Sequence, residues 1–341
     1  MELYEYARPD LMSGKKILYV HGFASSGASG TVKTIHLLLP EAEVIAPDLP
    51  IEPEQAMELL LSICREEAPD LIIGTSMGGM FAEQLHGFYR ILVNPAFNIA
   101  DTVMKNNGLG RQEFHSPRKD GKKDFLVTKS LLEEYRECSS HCFSDPGSES
   151  EMVFGLFGLH DEMVDTFDIF ASGYPNAIRF DGGHHLDDAT FLHSVLPVVG
   201  WLDDRQQGRH RPVVLVSFED VIAYVREGGV PEAIAVNSSV KGFHKLAGDY
   251  DAYVVADPSP NEPEVWRDTV MWVGKHLGVS AWGRLVAGGR KDLLMGDYLI
   301  DAHPEKSGGK DFLGTVLPFS SGPFKTWEDV LSYFDRLRGK A

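Results

Sequence analysis

The stretch Leu71-Ile72-Ile73-Gly74-Thr75-Ser76-Met77-Gly78-Gly79 decides the fold of the region around it. A short apolar run enters a Gly-x-Ser-x-Gly turn, and a helix-forming run begins directly afterwards at Met80. This strand–turn–helix context is what a nucleophile elbow requires, because the turn leaves no room for side chains at the two flanking glycines. We therefore expect Ser76 to lie above a sheet edge, at the positive end of the following helix.

Short β-branched runs alternate with amphipathic stretches on both sides of this turn, from residue 15 to about residue 203. Such alternation predicts parallel strands joined by crossover helices. Between residues 101 and 150 the strand signal disappears, so we expect a helical lid inserted above the sheet. Helices are predicted in most other gaps, for example over Pro53–Glu66 and Ala189–Leu202. The predicted strands are Ile17–His21, Glu43–Ala46, Asp70–Gly74, Arg90–Asn94, Met152–Gly158 and Ala177–Asp181.

Two further segments offer the partners that an activated serine needs, a base and a carboxylate that orients the base. We assign the carboxylate to Asp161, in a Gly-x-x-Asp-x-x-Val loop after an apolar strand, with Asp165 as the weaker alternative. We assign the base to His184, because a small residue directly before it lets the imidazole reach over the sheet. His185 stays open as the alternative base. The chain order Ser, Asp, His is that of α/β-hydrolases and differs from the chymotrypsin and subtilisin orders.

The same reasoning predicts the two donors of an oxyanion hole. One is the backbone N–H of Met77, the residue after the nucleophile. The second is the backbone N–H of Phe23, in the His-Gly-hydrophobic sequence that follows the first strand, and its ring would line the acyl pocket. On this interpretation His21 braces the loop and takes no part in proton transfer.

Several of these segments together resemble the YqiA-type bacterial esterases, a single-domain branch of the α/β-hydrolases. The resemblance covers about residues 15–200. It implies cleavage of short-chain acyl esters by Ser76, Asp161 and His184. We expect neither a metal nor another cofactor. The segments that carry it are HGFASSGASGT, VIAPDLP, IIGTSMGGM, ILVNPAF, LFGLHDEMV and FDGGHHL.

The composition of the chain limits the classes of partner that it is expected to bind and the compartment in which it is expected to work. A net charge of −18 argues against nucleic acid or an anionic membrane, since phosphates are bound by clustered Lys and Arg. No apolar run approaches the roughly 20 residues of a bilayer span, and the N-terminus lacks the pattern of a signal peptide. Three cysteines form no disulfide framework, so we expect a cytoplasmic protein. Cys138, His141 and Cys142 fit no common zinc spacing and are interpreted as lid side chains. The expected partner is a small-molecule ester, and a homo-oligomer stays open.

A second α/β series follows the polar run Asp203–Arg211, which we interpret as a linker. The sequence thus predicts an α/β-hydrolase domain over residues 1–205, with its lid at about 101–150, and a smaller α/β domain over residues 211–341. The smaller domain has predicted strands at Pro212–Val216, Tyr253–Ala256 and Tyr298–Ile300, and predicted helices at Val240–Ala247, Glu264–Leu277 and Trp327–Arg338.

The opening strand of this second series resembles that of haloacid-dehalogenase-type (HAD-like) phosphatases, and the run from Lys291 to Asp301 resembles their 5'(3')-deoxyribonucleotidase branch. The resemblance implies a Rossmannoid fold. Ser217 stands where the family has its phosphoryl-accepting aspartate, Glu219 stands at the acid/base position, and Ala256 replaces an expected hydroxyl residue. Because a serine lacks the charge to bind Mg²⁺ and attack phosphorus, we expect an inactive domain.

Three side chains of this domain are predicted to form a residual phosphate or cation site, namely Lys291, Asp297 and Asp301. The leading hypothesis is a serine carboxylesterase with an appended phosphatase-like domain that has lost its activity. The alternatives are an Mg²⁺-dependent nucleotide or phosphoester phosphatase in the C-terminal domain, and a scaffold protein without turnover.

Overall fold

The computed structural model describes residues 3–144, 146–147, 149–226, 231–258 and 261–339. The chain divides into two compact units, Met1–Asp203 and Asp204–Ala341. Positions 145 and 148 of the predicted lid lie outside the described residues, as do 1–2 of the first predicted domain and 227–230, 259–260 and 340–341 of the second.

The first unit is built on a six-stranded parallel sheet with the order β2-β1-β3-β4-β7-β8. Its inner strands are almost continuously apolar and buried, as expected for a parallel sheet that is covered on both faces. This architecture confirms the predicted α/β-hydrolase fold, and each predicted strand is present with its ends shifted by a residue or so. The strands are β1 (Lys16–Val20), β2 (Glu43–Ile45), β3 (Leu71–Thr75), β4 (Tyr89–Val93), β7 (Val153–Gly158) and β8 (Asn176–Phe180).

Helices connect these strands, and helix α2 illustrates why they form. Pro53 occupies the first turn, where its missing N–H costs nothing, and Ala56, Leu60 and Cys64 make one buried stripe at a spacing of four residues. The helices of this unit are α1 (Gly30–Leu38), α2 (Pro53–Glu67), α3 (Met77–Glu83), α4 (Ile99–Asn106), α5 (Lys129–Ser140), α6 (Phe167–Gly173), α7 (Asp188–Thr190) and α8 (Leu196–Gln207).

The insertion between β4 and β7 contains a hairpin that the sequence did not predict. Strands β5 (Gly110–Glu113) and β6 (Asp124–Val127) pair antiparallel between helices α4 and α5. Neither strand has the alternation of apolar and polar residues that identifies a half-buried strand. The hairpin is instead stabilised by packing of Phe125 against Phe23 of the β1–α1 loop, a contact between residues distant in sequence.

The predicted linker is also different in the structure. Helix α8 continues to Gln207, so the first half of the run Asp203–Arg211 is helical. Asp203 is fully buried, and its carboxylate accepts a hydrogen bond from Lys15 Nζ at 2.7 Å. The polar composition of the run predicts a linker, but the Asp203 side chain has a specific partner from a distant segment.

The second unit contains a five-stranded parallel sheet with the order β13-β12-β9-β14-β15 and a separate hairpin of β10 and β11. Each predicted strand and helix is present. The sequence did not predict the edge strands β13 and β15 or the hairpin, because none of them shows an alternation of apolar and polar residues. The strands are β9 (Val213–Ser217), β10 (Ala223–Val225), β11 (Pro231–Ala235), β12 (Asp251–Ala256), β13 (Leu285–Ala287), β14 (Tyr298–Asp301) and β15 (Thr315–Pro318). The helices are α9 (Ser239–Asp249), α10 (Pro263–His276) and α11 (Trp327–Leu337).

Among the residues described, none of the helices combines the length and the apolar character that a membrane crossing requires.

Candidate active site

Ser76 lies in the sharp turn between the end of β3 and the start of α3. Its φ of 53° and ψ of −117° are unusual for a residue with a side chain. The turn is held by a hydrogen bond of 2.9 Å from the Ser76 N–H to the Val93 carbonyl. A Cβ at Gly74 would overlap the carbonyl of Gly78, and a Cβ at Gly78 would overlap the carbonyl of Val20. Both glycines are therefore required by the close approach of neighbouring backbone.

The structure brings Ser76, His184 and Asp161 into one hydrogen-bonded chain. His184 Nε2 lies 3.0 Å from Ser76 Oγ, and His184 Nδ1 lies 2.8 Å from Asp161 Oδ2. The ring of His185 lies 5.8 Å from that of His184, and Asp165 is an exposed loop residue. The contact to the serine is thus made by the first of the two adjacent histidines, and the contact to the imidazole by the first of the two candidate carboxylates.

The carboxylate of Asp161 is held in its ionised form. Its other oxygen, Oδ1, accepts the backbone N–H groups of Met163 at 2.8 Å and Val164 at 2.9 Å. Burial alone would raise the pKa of Asp161, but the hydrogen bonds from His184 and from these two amides outweigh burial, and its pKa is lowered. The Asp161 side chain is 2% exposed and that of His184 is 10% exposed, so the pair is largely screened from water. An ionised, buried carboxylate favours a proton on the adjacent imidazole nitrogen.

Asn94 is a site residue that the sequence analysis missed. It follows β4, and its side-chain amide donates to the carbonyls of Gly183 at 2.9 Å and His184 at 3.1 Å. Its oxygen accepts the N–H of Gly158 at 2.8 Å. One side chain thereby fixes both the loop of the histidine and the end of the strand that leads to Asp161. The signal in the sequence that points to Asn94 is its position as a polar residue directly after an apolar, central strand.

The two predicted oxyanion donors, Met77 and Phe23, belong to segments that adjoin Ser76. Met77 is the first residue of α3, and the N–H groups of a first helical turn have no partner within the helix. Phe23 follows Gly22, at which a Cβ would lie 3.4 Å from Ser76 Cβ. His21 braces this loop as expected, because its Nδ1 contacts the Gly22 carbonyl and its Nε2 accepts the N–H of Leu49 at 3.0 Å.

Apolar side chains from the insertion line the space next to the Phe23 ring. The ring lies 5.3 Å from that of Phe125 and 6.3 Å from that of Tyr135, both in edge-to-face arrangement. The Tyr135 hydroxyl donates to the Ile51 carbonyl at 2.9 Å and lies 3.2 Å from Met77 Sδ. The side of the site near Phe23 is therefore lined by aromatic rings, and the Tyr135 hydroxyl there has a hydrogen-bond partner.

The cysteines of helix α5 and its C-terminal end contact protein groups. The Gln84 amide lies 3.4 Å from Cys142 Sγ and 3.9 Å from Cys138 Sγ, while His141 lies 3.8 Å from Glu137. Within the described ranges, no three His, Cys, Asp or Glu side chains form a group that could hold a metal ion. Burial raises the pKa of both thiols, which keeps them in the protonated form.

In the second unit, Ser217 and Asp301 lie at the carboxyl ends of adjacent parallel strands, β9 and β14. Lys291 Nζ donates to Asp301 Oδ2 at 2.8 Å, and both side chains are almost fully buried. Ser217 is fully buried as well, and its hydroxyl oxygen has no hydrogen-bond partner in the structure. Glu219 accepts the N–H of Asp257 at 2.9 Å, and burial raises its pKa.

The third predicted member of this cluster, Asp297, is not brought together with the other two. Asp297 directly precedes β14, whereas Asp301 is its last residue. The two therefore lie at opposite ends of the same strand, roughly 13 Å apart at the usual rise per residue. Asp297 Oδ2 instead accepts the N–H of Val213 at 2.7 Å, at the start of β9. The prediction of one site containing both aspartates is wrong, because residues four apart on a strand lie on the same face of the sheet but too far apart along the strand.

The residues at this sheet edge do not fit a bound Mg²⁺ ion. Mg²⁺ needs carboxylate oxygens with free lone pairs. Ser217 offers a neutral hydroxyl, and the carboxylate of Asp301 is already neutralised by the ammonium group of Lys291. The donor set is that of an internal ion pair.

Comparison with known proteins gives one family for the first unit. The model of a family described as "Uncharacterised protein family (UPF0227)" matches residues 16–186. The monoacylglycerol lipase of Paleococcus ferrophilus is 18% identical, with a TM-score of 0.39, over 55% of this chain and 94% of its own. The esterase domain of a Rhodothermus marinus protein is 19% identical, with a TM-score of 0.36, over 58% of this chain and 89% of its own.

A different relative matches part of the chain. It is a protein of Vibrio phage KVP40 named as a 5'(3')-deoxyribonucleotidase, 31% identical over 98 residues, or 29% of this chain. The match spans 57% of that relative's length. The two resemblances expected from the sequence, to an esterase family and to deoxyribonucleotidases, are confirmed.

Proposed function

The chain belongs to UPF0227, an uncharacterised protein family, and we propose that its first unit is a serine hydrolase that cleaves short-chain carboxylic esters. The observation that carries the proposal is the continuous contact from Ser76 Oγ through His184 to Asp161, at 3.0 and 2.8 Å. Both distances are within the range for proton transfer along a hydrogen bond.

Acylation uses each of these groups in turn. Ser76 Oγ attacks the ester carbonyl carbon while its proton passes to His184 Nε2, and the Asp161 carboxylate stabilises the imidazolium ion that results. The carbonyl oxygen becomes an oxyanion, which accepts hydrogen bonds from the backbone N–H groups of Phe23 and Met77. The C–O bond to the alcohol then breaks, and His184 returns its proton to the departing alkoxide.

Deacylation repeats the sequence with water as the nucleophile. His184 Nε2 removes a proton from water, the hydroxide adds to the acyl carbon, and Ser76 leaves with the proton held by His184. The products are a carboxylic acid and the regenerated serine. No cofactor enters either step. The aromatic side chains around Phe23 favour a compact apolar acyl group over a charged one.

We expect Ser76→Ala to lower kcat for p-nitrophenyl butyrate by at least about 10⁴-fold, because no nucleophile remains. The matched pair His184→Ala and His185→Ala tests the base, since the two residues are adjacent and only His184 contacts Ser76. His184→Ala should lose activity to the same extent as Ser76→Ala, and His185→Ala should keep most of it. Wild-type turnover in folded Ser76→Ala would contradict the proposal.

We propose that the chain has a hydrolase domain over residues 1–205 and a HAD-like domain over residues 211–341 that no longer transfers phosphoryl groups. The proposal is supported by the neutral hydroxyl at Ser217 and by the pairing of Asp301 with Lys291. We further propose a cytoplasmic location. The three cysteines of the chain are all free, which fits a reducing compartment.

A further inference from the structure

The loop that carries Phe23 has little regular structure of its own. Residues 22–29, called here the Phe23 loop, connect β1 to α1 through turns, and Ala24 within it has a φ of 57°. A backbone N–H in such a loop is not aligned by a helix or a sheet. Its direction depends on contacts from neighbouring segments.

Asp48 supplies two of these contacts. Its Oδ1 accepts the N–H of Gly27 at 2.8 Å, and its Oδ2 accepts the N–H of Lys119 at 2.6 Å. Gly27 belongs to the Phe23 loop, and Lys119 belongs to the turn that joins β5 to β6. Hydrogen bonds from backbone amides to an ionised carboxylate are stronger than those between neutral groups. One carboxylate thereby joins the Phe23 loop to the hairpin of the insertion.

Two more hydrogen bonds join the same two segments. Ser26 Oγ donates to the Pro117 carbonyl at 2.7 Å, and the N–H of His115 donates to the Ala24 carbonyl at 2.7 Å. Ser26 is fully buried, so water does not compete for this contact. The hairpin is therefore also fixed to the Phe23 loop at Ala24 and Ser26, which lie between Phe23 and Gly27.

The hairpin also contacts the Phe23 side chain. The Phe125 ring lies 5.3 Å from that of Phe23 and 4.7 Å from that of Phe114. The Arg118 guanidinium group lies 4.5 Å from the Phe114 ring centre and donates to the Leu49 carbonyl at 3.1 Å. Both the backbone of the Phe23 loop and the Phe23 ring are thus contacted by residues of the same inserted element.

We propose that Asp48 is a positioning residue of the hydrolase. By joining the Phe23 loop to the hairpin, it holds the Phe23 N–H where the oxyanion forms, an inference that rests on the proposed function of Ser76. An oxyanion donor stabilises the transition state more than the bound substrate. Displacing this donor therefore lowers kcat and leaves KM nearly unchanged. The His184–Asp161 pair is untouched, so the pH dependence stays the same.

The test compares Asp48→Ala with Asp124→Asn, using p-nitrophenyl butyrate. We expect Asp48→Ala to lower kcat by about 10- to 100-fold, with KM within about twofold and the midpoint of the pH–kcat profile unmoved. Asp48→Asn keeps one acceptor oxygen and should recover part of the loss. Asp124→Asn removes an exposed 2.7 Å ion pair with Arg111 on the same hairpin and should keep the wild-type kcat.

Ser26→Ala provides a milder variant, should Asp48→Ala fail to fold. It removes one of the connections and should show the same signature with a smaller loss of kcat. Wild-type kcat in folded Asp48→Ala or in Ser26→Ala, or a rise in KM alone, would overturn the inference.

Labelling by a fluorophosphonate, in which the serine oxygen displaces fluoride from phosphorus, separates this inference from the proposed function. Slower labelling of Asp48→Ala than of wild type supports the positioning role, and equal labelling overturns it. A wild-type protein that is neither labelled nor active would remove the proposed function, and the inference with it.

Discussion

At the scale of single residues, His21 shows how burial selects one form of a side chain. Nε2 of His21 accepts the Leu49 N–H, so the ring is neutral, with its proton on Nδ1 facing the Gly22 carbonyl. Burial lowers the pKa of His21 to about 4, and the hydrogen bond to Gly22 offsets only part of that shift. A protonated ring would lose the Leu49 contact that helps to brace the Phe23 loop.

This shift predicts a pH dependence of stability. Unfolded histidine has a pKa of about 6.5. Between pH 6.5 and 4 the unfolded chain binds a proton at His21 that the folded chain excludes. The contribution of His21 to the free energy of unfolding is therefore complete above pH 6.5 and decreases as the pH falls. The contribution of His21 over this interval is on the order of 3 kcal/mol. Denaturant titrations at several pH values should show a flatter dependence for His21→Gln than for wild type.

The control is His36→Gln, which changes an exposed histidine of helix α1. It should keep the wild-type dependence on pH. Equal slopes for wild type and His21→Gln would show that His21 is not buried as a neutral ring.

At the scale of elements, a buried polar network connects helix α3 with strand β4 and with the end of the insertion. Arg90 is fully buried, donates to the Glu83 carbonyl, and pairs with Glu149 at 2.7 Å. The Glu83 carboxylate accepts the Tyr174 hydroxyl at 2.5 Å and the N–H of Phe143 at 3.1 Å. Because α3 begins next to the nucleophile, this network holds the helix behind Ser76.

We expect Arg90→Met to lower the free energy of unfolding by about 3–5 kcal/mol, since it leaves the buried Glu83 and the partly buried Glu149 without their cation. Tyr174→Phe removes a single hydrogen bond and should cost only about 1–3 kcal/mol. Urea titration followed by circular dichroism measures both. A similar cost for the two variants would mean that the arginine charge has no special importance.

At the scale of the whole molecule, the chain contains two α/β units that differ in the side chains at the carboxyl ends of their parallel strands. In the first, a serine, a histidine and an aspartate meet at the carboxyl ends of the strands. In the second, the corresponding edge has the Lys291–Asp301 ion pair and the neutral Ser217. Position at the carboxyl end of a parallel sheet provides a place for chemistry, and the residues there decide whether any follows.

We therefore expect no Mg²⁺-dependent release of phosphate from p-nitrophenyl phosphate or from deoxyribonucleoside monophosphates. Ester hydrolysis should be unaffected by EDTA, because the proposed mechanism uses no metal. The measurement is a phosphate assay with and without Mg²⁺ on wild type and on Ser76→Ala. Phosphate release that persists in Ser76→Ala and disappears in Asp301→Asn would contradict an inactive second unit.

The sequence alone determined the local features. The elbow around Ser76, the predicted strands and the α/β-hydrolase class follow from residue types and spacings within short windows, where turn geometry and periodicity act. The predicted candidates Asp161 and His184 followed from their places after strands. Tertiary structure alone decided what depends on contacts between distant segments. These features are the histidine that reaches Ser76, the contacts of Asn94 and Asp48, the hairpin of β5 and β6, and the separation of Asp297 from Asp301. These depend on register and on how loops meet, which neighbouring residues along a chain do not encode.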